Sequence, residues 1–582
     1  MQLAAQEGEG RLPDSVIAAI GGGGGTPIQS VIFGQEETKA GLGYGYFTIG
    51  LGNGRFGKAP LPASSETIKV ELFQDPSQWL SDAQFFGGIE FHPTPKLSFM
   101  VEYNPIKYET QTQDPAQAKY FTDPVPSKIN VGMRYKPFDW AQLDLSYQRG
   151  NQFGANLALE FNLDSQLIPI FDMPYREQEQ YRTNPLAERI SRGLYLSGFR
   201  DIGVKTAATE IWIQAANVRY FYNMKALGVL LKVLDQILPA DIQRIHIVLT
   251  ERGIPMIAFS ALRDDLRAFE TEVFKVPDFL SLSQMQTDVY SMPDTKKMHR
   301  RYFDYGLKPE FQTFLNDPSG FFKGRAGAAA WVSLEPWKGA NFSVGGELYA
   351  WNDISSSVPP LPNPIRSDVV YYLEKDYALS NLMFEQIAKT NYEIYGKIAA
   401  GFLEIEYAGL DAEMATTLLG GRILTGVGGS LVKKRDPDNP LKLISDDLNE
   451  NYKTAFFNTR VNFKDLEMYV DVKAGRFLAG DKGARVTVTK SFFNGVQLAA
   501  WYSFTGTSIF TDTYNNGYHD KGISLSIPLR LFLGRDSRTL YTYSISPWTR
   551  DVAQDIGHRT ALFDFIGRNT NTFVNKDSRM MR

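Results

Sequence analysis

The sequence predicts a mainly β protein: two tandem outer-membrane-type β-barrels joined by a small α/β module. Three observations predict it. Short segments of alternating apolar and polar residues recur along the chain, as in Lys96–Tyr103 (KLSFMVEY), Lys128–Tyr135 (KINVGMRY) and Val496–Phe504 (VQLAAWYSF). That two-residue period gives each strand one apolar and one polar face, and about ten residues is the length of a tilted membrane-spanning strand. Aromatic residues form 13% of the 582 residues, and there are 50 glycines; aromatic girdles and barrel kinks draw on both. No apolar run reaches the roughly 18 residues of a membrane helix, so a crossing has to be made by a closed barrel.

The elements follow in chain order. Residues 1–41 hold little pattern, and Gly21–Gly25 reads as a flexible loop. The first ten residues, MQLAAQEGEG, lack the charged and apolar regions of a signal peptide; the expectation is a natural start further upstream. Over 42–163 the candidate strands are Tyr44–Leu51, Gln84–His92, Lys96–Tyr103, Lys128–Lys136, Gln142–Gln148 and Ala155–Leu163. Pro93–Pro95 and Lys136–Asp139 read as tight turns, with longer connections on the alternate side. This is an incomplete N-terminal barrel, followed by a polar linker over 164–194.

The period then changes. Leu227, Leu230, Leu231, Leu234 and Leu238 fall at helical spacing within Asn223–Leu238. Strands at Glu210–Gln214, Arg244–Thr250 and Pro255–Ser260 and a helix at Leu262–Phe269 complete an α/β module over 195–275, expected to be periplasmic. A second linker spans 276–323. From 324 to 582 the alternation resumes, through candidates at Ala326–Leu334, Asn341–Trp351, Tyr392–Leu403, Ile405–Asp411, Ile423–Lys433, Thr454–Phe463, Met468–Phe477, Arg485–Ser491, Val496–Phe504, Gly522–Leu529 and Thr539–Ser546, and about ten to twelve strands make a C-terminal barrel.

Composition narrows the chemistry. The net charge is −4 with no basic stripe, which argues against a nucleic-acid partner. Cysteine is absent, excluding disulfides and thiolate metal sites. The five histidines, His92, His246, His299, His519 and His558, form no metal-ligand spacing, so neither metal nor cofactor is expected. Within the C-terminal barrel only His519 and His558 could act as bases, and neither has a serine elbow or a carboxylate at useful spacing. Gly52–Gly57 (GNGRFG) is glycine-rich, but no strand–helix unit follows to cradle a phosphate. A non-enzymatic protein is the expectation.

A few polar residues are candidate contacts. In Leu478–Gly483 (LAGDKG), Asp481 and Lys482 could bind sugar hydroxyls; a hairpin, with Gly480 and Gly483 at positive φ, is the favoured reading. In Trp548–Asp551, Arg550 and Asp551 could pair inside a lumen, or the stretch could be an interfacial turn. Arg485 is a further charged lumen candidate.

Phe85–Tyr103 (FFGGIEFHPTPKLSFMVEY), Lys128–Phe153, Gly475–Lys490 (GRFLAGDKGARVTVTK), Lys521–Phe532 and Ser546–Gly557 (SPWTRDVAQDIG) carry a resemblance, and Ile245–Met256 (IHIVLTERGIPM) adds to it. Together they resemble the YjbH/GfcD family of outer-membrane proteins from exopolysaccharide and capsule operons, from about residue 42 onward. The resemblance implies a signal peptide and further strands upstream. It implies a part in exopolysaccharide or capsule export or assembly, with outer-membrane lipid, the polymer and other polysaccharide-secretion proteins as partners. A scaffold docking other secretion components, or a general porin, is the alternative.

Overall fold

A computed structural model describes residues 17–23, 26–40, 43–53, 57–58, 76–107, 124–160, 168–171, 173–289, 294–317, 320–356, 359–361, 363–444, 451–546 and 550–581. The chain divides into two units, Met1–Asn162 and Leu163–Arg582.

The first unit is an eight-stranded antiparallel meander in sequence order. Its strands are β1 (Ile17–Gly23), β2 (Thr26–Ala40), β3 (Gly43–Asn53), β4 (Gln84–Thr94), β5 (Leu97–Tyr103), β6 (Ile129–Phe138), β7 (Ala141–Gln148) and β8 (Gln152–Leu159). Cross-strand register sets its two faces. Ile89, Val101, Val131 and Tyr147 lie opposite one another in series and are all exposed. On the other face Arg134 bonds Asp144 at 2.9 Å, and Asn156 reaches the same carboxylate at 3.1 Å. The tight turns fall at 95–96 and 139–140, as the prolines and Asp139 require. Two expectations change here. Strands β1 and β2 occupy a stretch read as unpatterned, and Gly21–Gly23 belong to β1 rather than to a loop. Gly24 and Gly25 lie outside the described residues, as do 54–56 of the glycine-rich stretch.

In the second unit the α/β module is a six-stranded sheet of order β13-β12-β11-β10-β9-β14. Its strands are β9 (Phe199–Ala207), β10 (Glu210–Asn217), β11 (Arg244–Glu251), β12 (Ile254–Leu262), β13 (Gln284–Gln286) and β14 (Lys297–Met298). Strands β10 and β11 are parallel, so the chain between them must cross over. The helix Asn223–Ile237 makes that crossing, and Leu227, Leu230, Leu231 and Leu234 are fully buried on it. Each such leucine contributes about 1.5–3 kcal/mol. Helix Arg263–Glu270 falls where the sequence placed it. The two linkers are not linkers throughout. The helix Leu186–Leu196 buries Ile190 and Leu194 in the module core. The stretch 276–323 holds the helix Val276–Leu282, β13, β14 and the first strand of the next sheet.

The large sheet has thirteen antiparallel strands in sequence order. They are β15 (Phe303–Asp317), β16 (Gly320–Leu334), β17 (Ala340–Asn352), β18 (Tyr377–Lys389), β19 (Ile394–Phe402), β20 (Tyr407–Leu418) and β21 (Ile423–Lys434). Then follow β22 (Tyr452–Phe463), β23 (Met468–Arg476), β24 (Lys482–Ser491), β25 (Gln497–Thr505), β26 (Lys521–Pro528) and β27 (Leu540–Ile545). It is nearly closed: the Tyr541 hydroxyl on β27 donates to the Phe311 carbonyl of β15 at 2.7 Å, and the Tyr543 hydroxyl bonds Thr313. The chain is thus mainly β with one barrel-like sheet. The first sheet has β1 and β8 as its edges, so a pair of barrels is more than the fold itself establishes.

One end of the large sheet carries short connections, at 335–339, 390–393, 419–422, 464–467 and 492–496. The module packs against this end. Gly339 donates its N–H to the Arg252 carbonyl at 2.9 Å, Arg252 pairs with Glu385, and the Lys389 ammonium donates to the Pro255 carbonyl at 3.1 Å. Only glycine fits at 339: φ is +78°, and a Cβ would lie 1.9 Å from the Ile387 carbonyl oxygen.

Candidate functional site

Register places the interior chemistry of the large sheet. Lys397 faces Glu413 across β19 and β20, Asp411 faces Ser430 across β20 and β21, and Arg460 faces Asp471 across β22 and β23. These side chains point away from the exposed apolar residues that alternate with them. An unpaired charge inside such a wall is expensive, so each finds a partner. The Lys397 ammonium lies 3.0 Å from Asp411 and 2.8 Å from Glu413, while Arg460 bonds both Asp471 oxygens at 2.7 and 3.0 Å.

The interior is not empty. After β27 the chain turns back and threads it. Asp551 enters beside the long connection between β17 and β18, accepting the N–H groups of Ile365, Arg366 and Ser367 at 3.1, 2.8 and 2.9 Å. Its second oxygen accepts the Ser367 hydroxyl at 3.0 Å. Val552 and Ala553 pack against Phe456 and Phe477. Further in, Asp555 takes the Lys473 ammonium at 2.5 Å. His558 Nδ1 sits 3.1 Å from Asp411 and 3.2 Å from Glu413, and its Nε2 faces Asp555 at 3.8 Å. The Thr560 carbonyl accepts from Lys397 at 2.8 Å, and the Leu562 N–H donates to Glu413 at 2.8 Å.

The tail leaves at the module end. Leu562, Phe565 and Ile566 join the same apolar core as the module and the sheet residues Ile387, Tyr395 and Leu424. Arg568 is held by Asp577 at 2.7 Å and Glu467 at 3.0 Å. Asn223, at the start of the module helix, donates to Asn569 at 2.5 Å. Met581 then lies against that helix at Gly228, where a Cβ would come within 2.0 Å of the Met581 carbonyl oxygen. Residues 550–581 therefore run from one end of the sheet to the other and fasten the module to it.

Asp411, Glu413 and His558 place donor atoms within 4.8 Å of one another, the one such group among the described residues. Lys397 already supplies the positive charge there that a metal would bring.

The residues singled out in the sequence end up as follows. LAGDKG is the hairpin between β23 and β24. Gly480 has φ +93°, whereas Gly483 is a strand residue needed because a Cβ would lie 2.0 Å from the Phe504 carbonyl oxygen. Asp481 is buried and accepts the Ala553 N–H at 2.9 Å, and Lys482 is exposed. Arg485 bonds Ser503 at 3.0 Å, Asp520 at 2.8 Å and the Ala553 carbonyl. Arg550 lies over the Tyr518 and Tyr514 rings, while Asp551 serves 365–367, so they hold separate partners rather than each other. Pro547 to Thr549 lie outside the described residues. His519 approaches the Ser503 carbonyl at 3.2 Å. Of the carboxylates around His558, Asp555 is three residues before it and was passed over in the sequence, whereas Asp411, 147 positions away, and Glu413 beside it could not be read from spacing. Ser430 bonds Asp411 at 2.9 Å rather than the imidazole, unlike a nucleophile–base pair.

The family described as exopolysaccharide biosynthesis protein YbjH matches residues 38–568. A relative, the uncharacterized lipoprotein YjbH of Escherichia coli (strain K12), is 25% identical over 579 residues, spanning 94% of this chain and 80% of its own. No helix among the described residues is long and apolar enough to cross a membrane. A threaded barrel-like sheet, its α/β cap and a family match over nearly the whole length converge: the chain belongs to the YjbH family of exopolysaccharide biosynthesis proteins.

Proposed function

We propose that the large sheet crosses the outer membrane as a barrel and that the chain takes part, without catalysing a reaction, in exopolysaccharide export or assembly. One observation carries the membrane reading. Leu382, Ile398, Leu410, Met414, Val427, Leu431 and Phe457, on five consecutive strands, are 40–59% exposed on the outward face. A continuous apolar belt of this kind is a liability in water and a requirement in lipid. The same polarity on the first sheet supports a second barrel there. Short turns at the module end suit a periplasmic module. The relative's printed name, a lipoprotein, fits an envelope location. The polymer role follows from the family. Absence of catalysis is supported by His558, whose two nitrogens both face carboxylates.

The test is direct. Expressed for export, the protein should fractionate with outer membranes and migrate as a heat-modifiable band. Recovery as a detergent-free monomer would sink the membrane reading. A clean deletion should reduce surface polymer, or strand it in the periplasm, while cytoplasmic synthesis continues; normal export without a paralogue ends the export reading.

A scaffold that docks other secretion proteins is the second reading, favoured by the tail filling the interior. It expects no steady conductance in planar bilayers, whereas a general porin would conduct openly.

A further inference from the structure

Between the tail and strands β20–β24 the interior leaves a cavity of about 280 Å³, near the lower end of ligand-sized pockets. Its existence is written in β21. Gly428 stands at an inward position, opposite Glu413 and Phe456, with no side chain to fill the space. The walls carry Asn458, Thr487, Phe456 and, from the tail, Phe563. Asn458 Oδ1 is buried without a hydrogen-bond partner, an acceptor left for something in the cavity. Asp564, 64% exposed, marks an open side.

The charges decide what kind of ligand fits. Each cation on the wall is already matched. Arg460 has Asp471 and Asp564 at 2.7 and 2.9 Å, Lys473 has Asp555 at 2.5 Å, Arg485 has Asp520 at 2.8 Å, and His558 has Asp411 at 3.1 Å. Among the described residues no cation of the wall is left over to neutralise a carboxylate or phosphate, and an anionic ligand would have to break one of these pairs. What remains on offer is hydrogen bonding from amide and hydroxyl groups, beside two aromatic rings. Hydroxyls arranged around an apolar ring face are the chemistry of an uncharged sugar.

We propose that this cavity binds one neutral sugar residue of a polysaccharide, making the tail-filled interior a glycan-recognition site rather than inert packing. The proposal rests on the exopolysaccharide reading above and deepens it. Phe456 and Phe563 on the wall give the sugar's C–H groups apolar surface to lie against, and Asn458 accepts from a hydroxyl.

Saturation-transfer NMR tests it on the full chain in an amine-oxide detergent, which carries no sugar of its own. The probes are methyl α-glucoside and methyl α-galactoside at millimolar concentration, with glucuronate as the charged control. The wild type should transfer saturation to at least one neutral glycoside and far less to glucuronate. Two variants attack the site differently. Gly428→Leu fills it, since a Cβ there already lies 3.2 Å from the Glu413 side chain and 3.8 Å from Asn458 Nδ2. Asn458→Leu removes the free acceptor. Both should retain the heat-modifiable band and lose the signal about tenfold. Equal signals from the wild type and both variants, a stronger response to glucuronate, or no wild-type signal would overturn the proposal. The two readings fail separately. A silent wild-type protein beside a polymer-deficient deletion strain removes the sugar site alone, whereas normal polymer in the deletion strain removes the export reading.

Discussion

Arg134 and Asp144 on the first sheet keep 33% and 22% of their side chains exposed, whereas Lys397 and Asp411 on the large sheet keep 1% and 3%. Both sheets share an outward apolar pattern, and both put ion pairs on the other face. The large sheet has a length of its own chain packed against that face, which strips water from the charges; around Arg134 and Asp144 water keeps its access. Exposed pairs gain little because water competes with them. Buried pairs must be complete, because a half-pair is a stranded charge. The same alternation thus produces a wall in both places, and what lies behind the wall decides whether its polar face is adaptable or locked.

The sharpest way to break this contrast is Lys397→Ala. It takes the ammonium from between Asp411 and Glu413, leaving the single His558 ring to face both carboxylates, and should cost about 3–5 kcal/mol, seen as a lower urea midpoint for loss of the heat-modifiable form. A loss under 1 kcal/mol would mean water reaches the pair. Asp551→Ala comes next, leaving the amides of 365–367 without their acceptor. We expect a loss of about 2–3 kcal/mol and new protease cleavage within 353–376; protection equal to wild type would show that Asp551 does not hold that segment.

The smallest effect belongs to Arg134→Ala on the first sheet, at about 0–1 kcal/mol. A loss near that of Lys397→Ala would erase the difference between the sheets.

The walls were legible because one residue in two had to be apolar on the outside. Where that rule was blurred, strands went unread. In β18 the inward positions Asn381, Met383, Glu385, Ile387 and Lys389 mix apolar and charged groups, since they face the tail and the module rather than water. In β15, Pro309 interrupts the pattern, which an edge strand tolerates. The module helix announced itself through its leucine spacing. The tail did not: Asp551, Asp555 and His558 lie in a stretch without period, and their meaning depends on Ser367, Lys473 and Asp411, at least 82 positions away in sequence.

The tail also constrains how the molecule is made. Residues 550–581 follow the last strand, yet occupy the space that strand helps to enclose. A cylinder zipped strand by strand and sealed first would leave its own final segment outside. The seam between β15 and β27 must therefore close around a tail already in place, and its long-range contacts make the last step slow. Assembly of this chain then has an order of operations built in: thread, then seal.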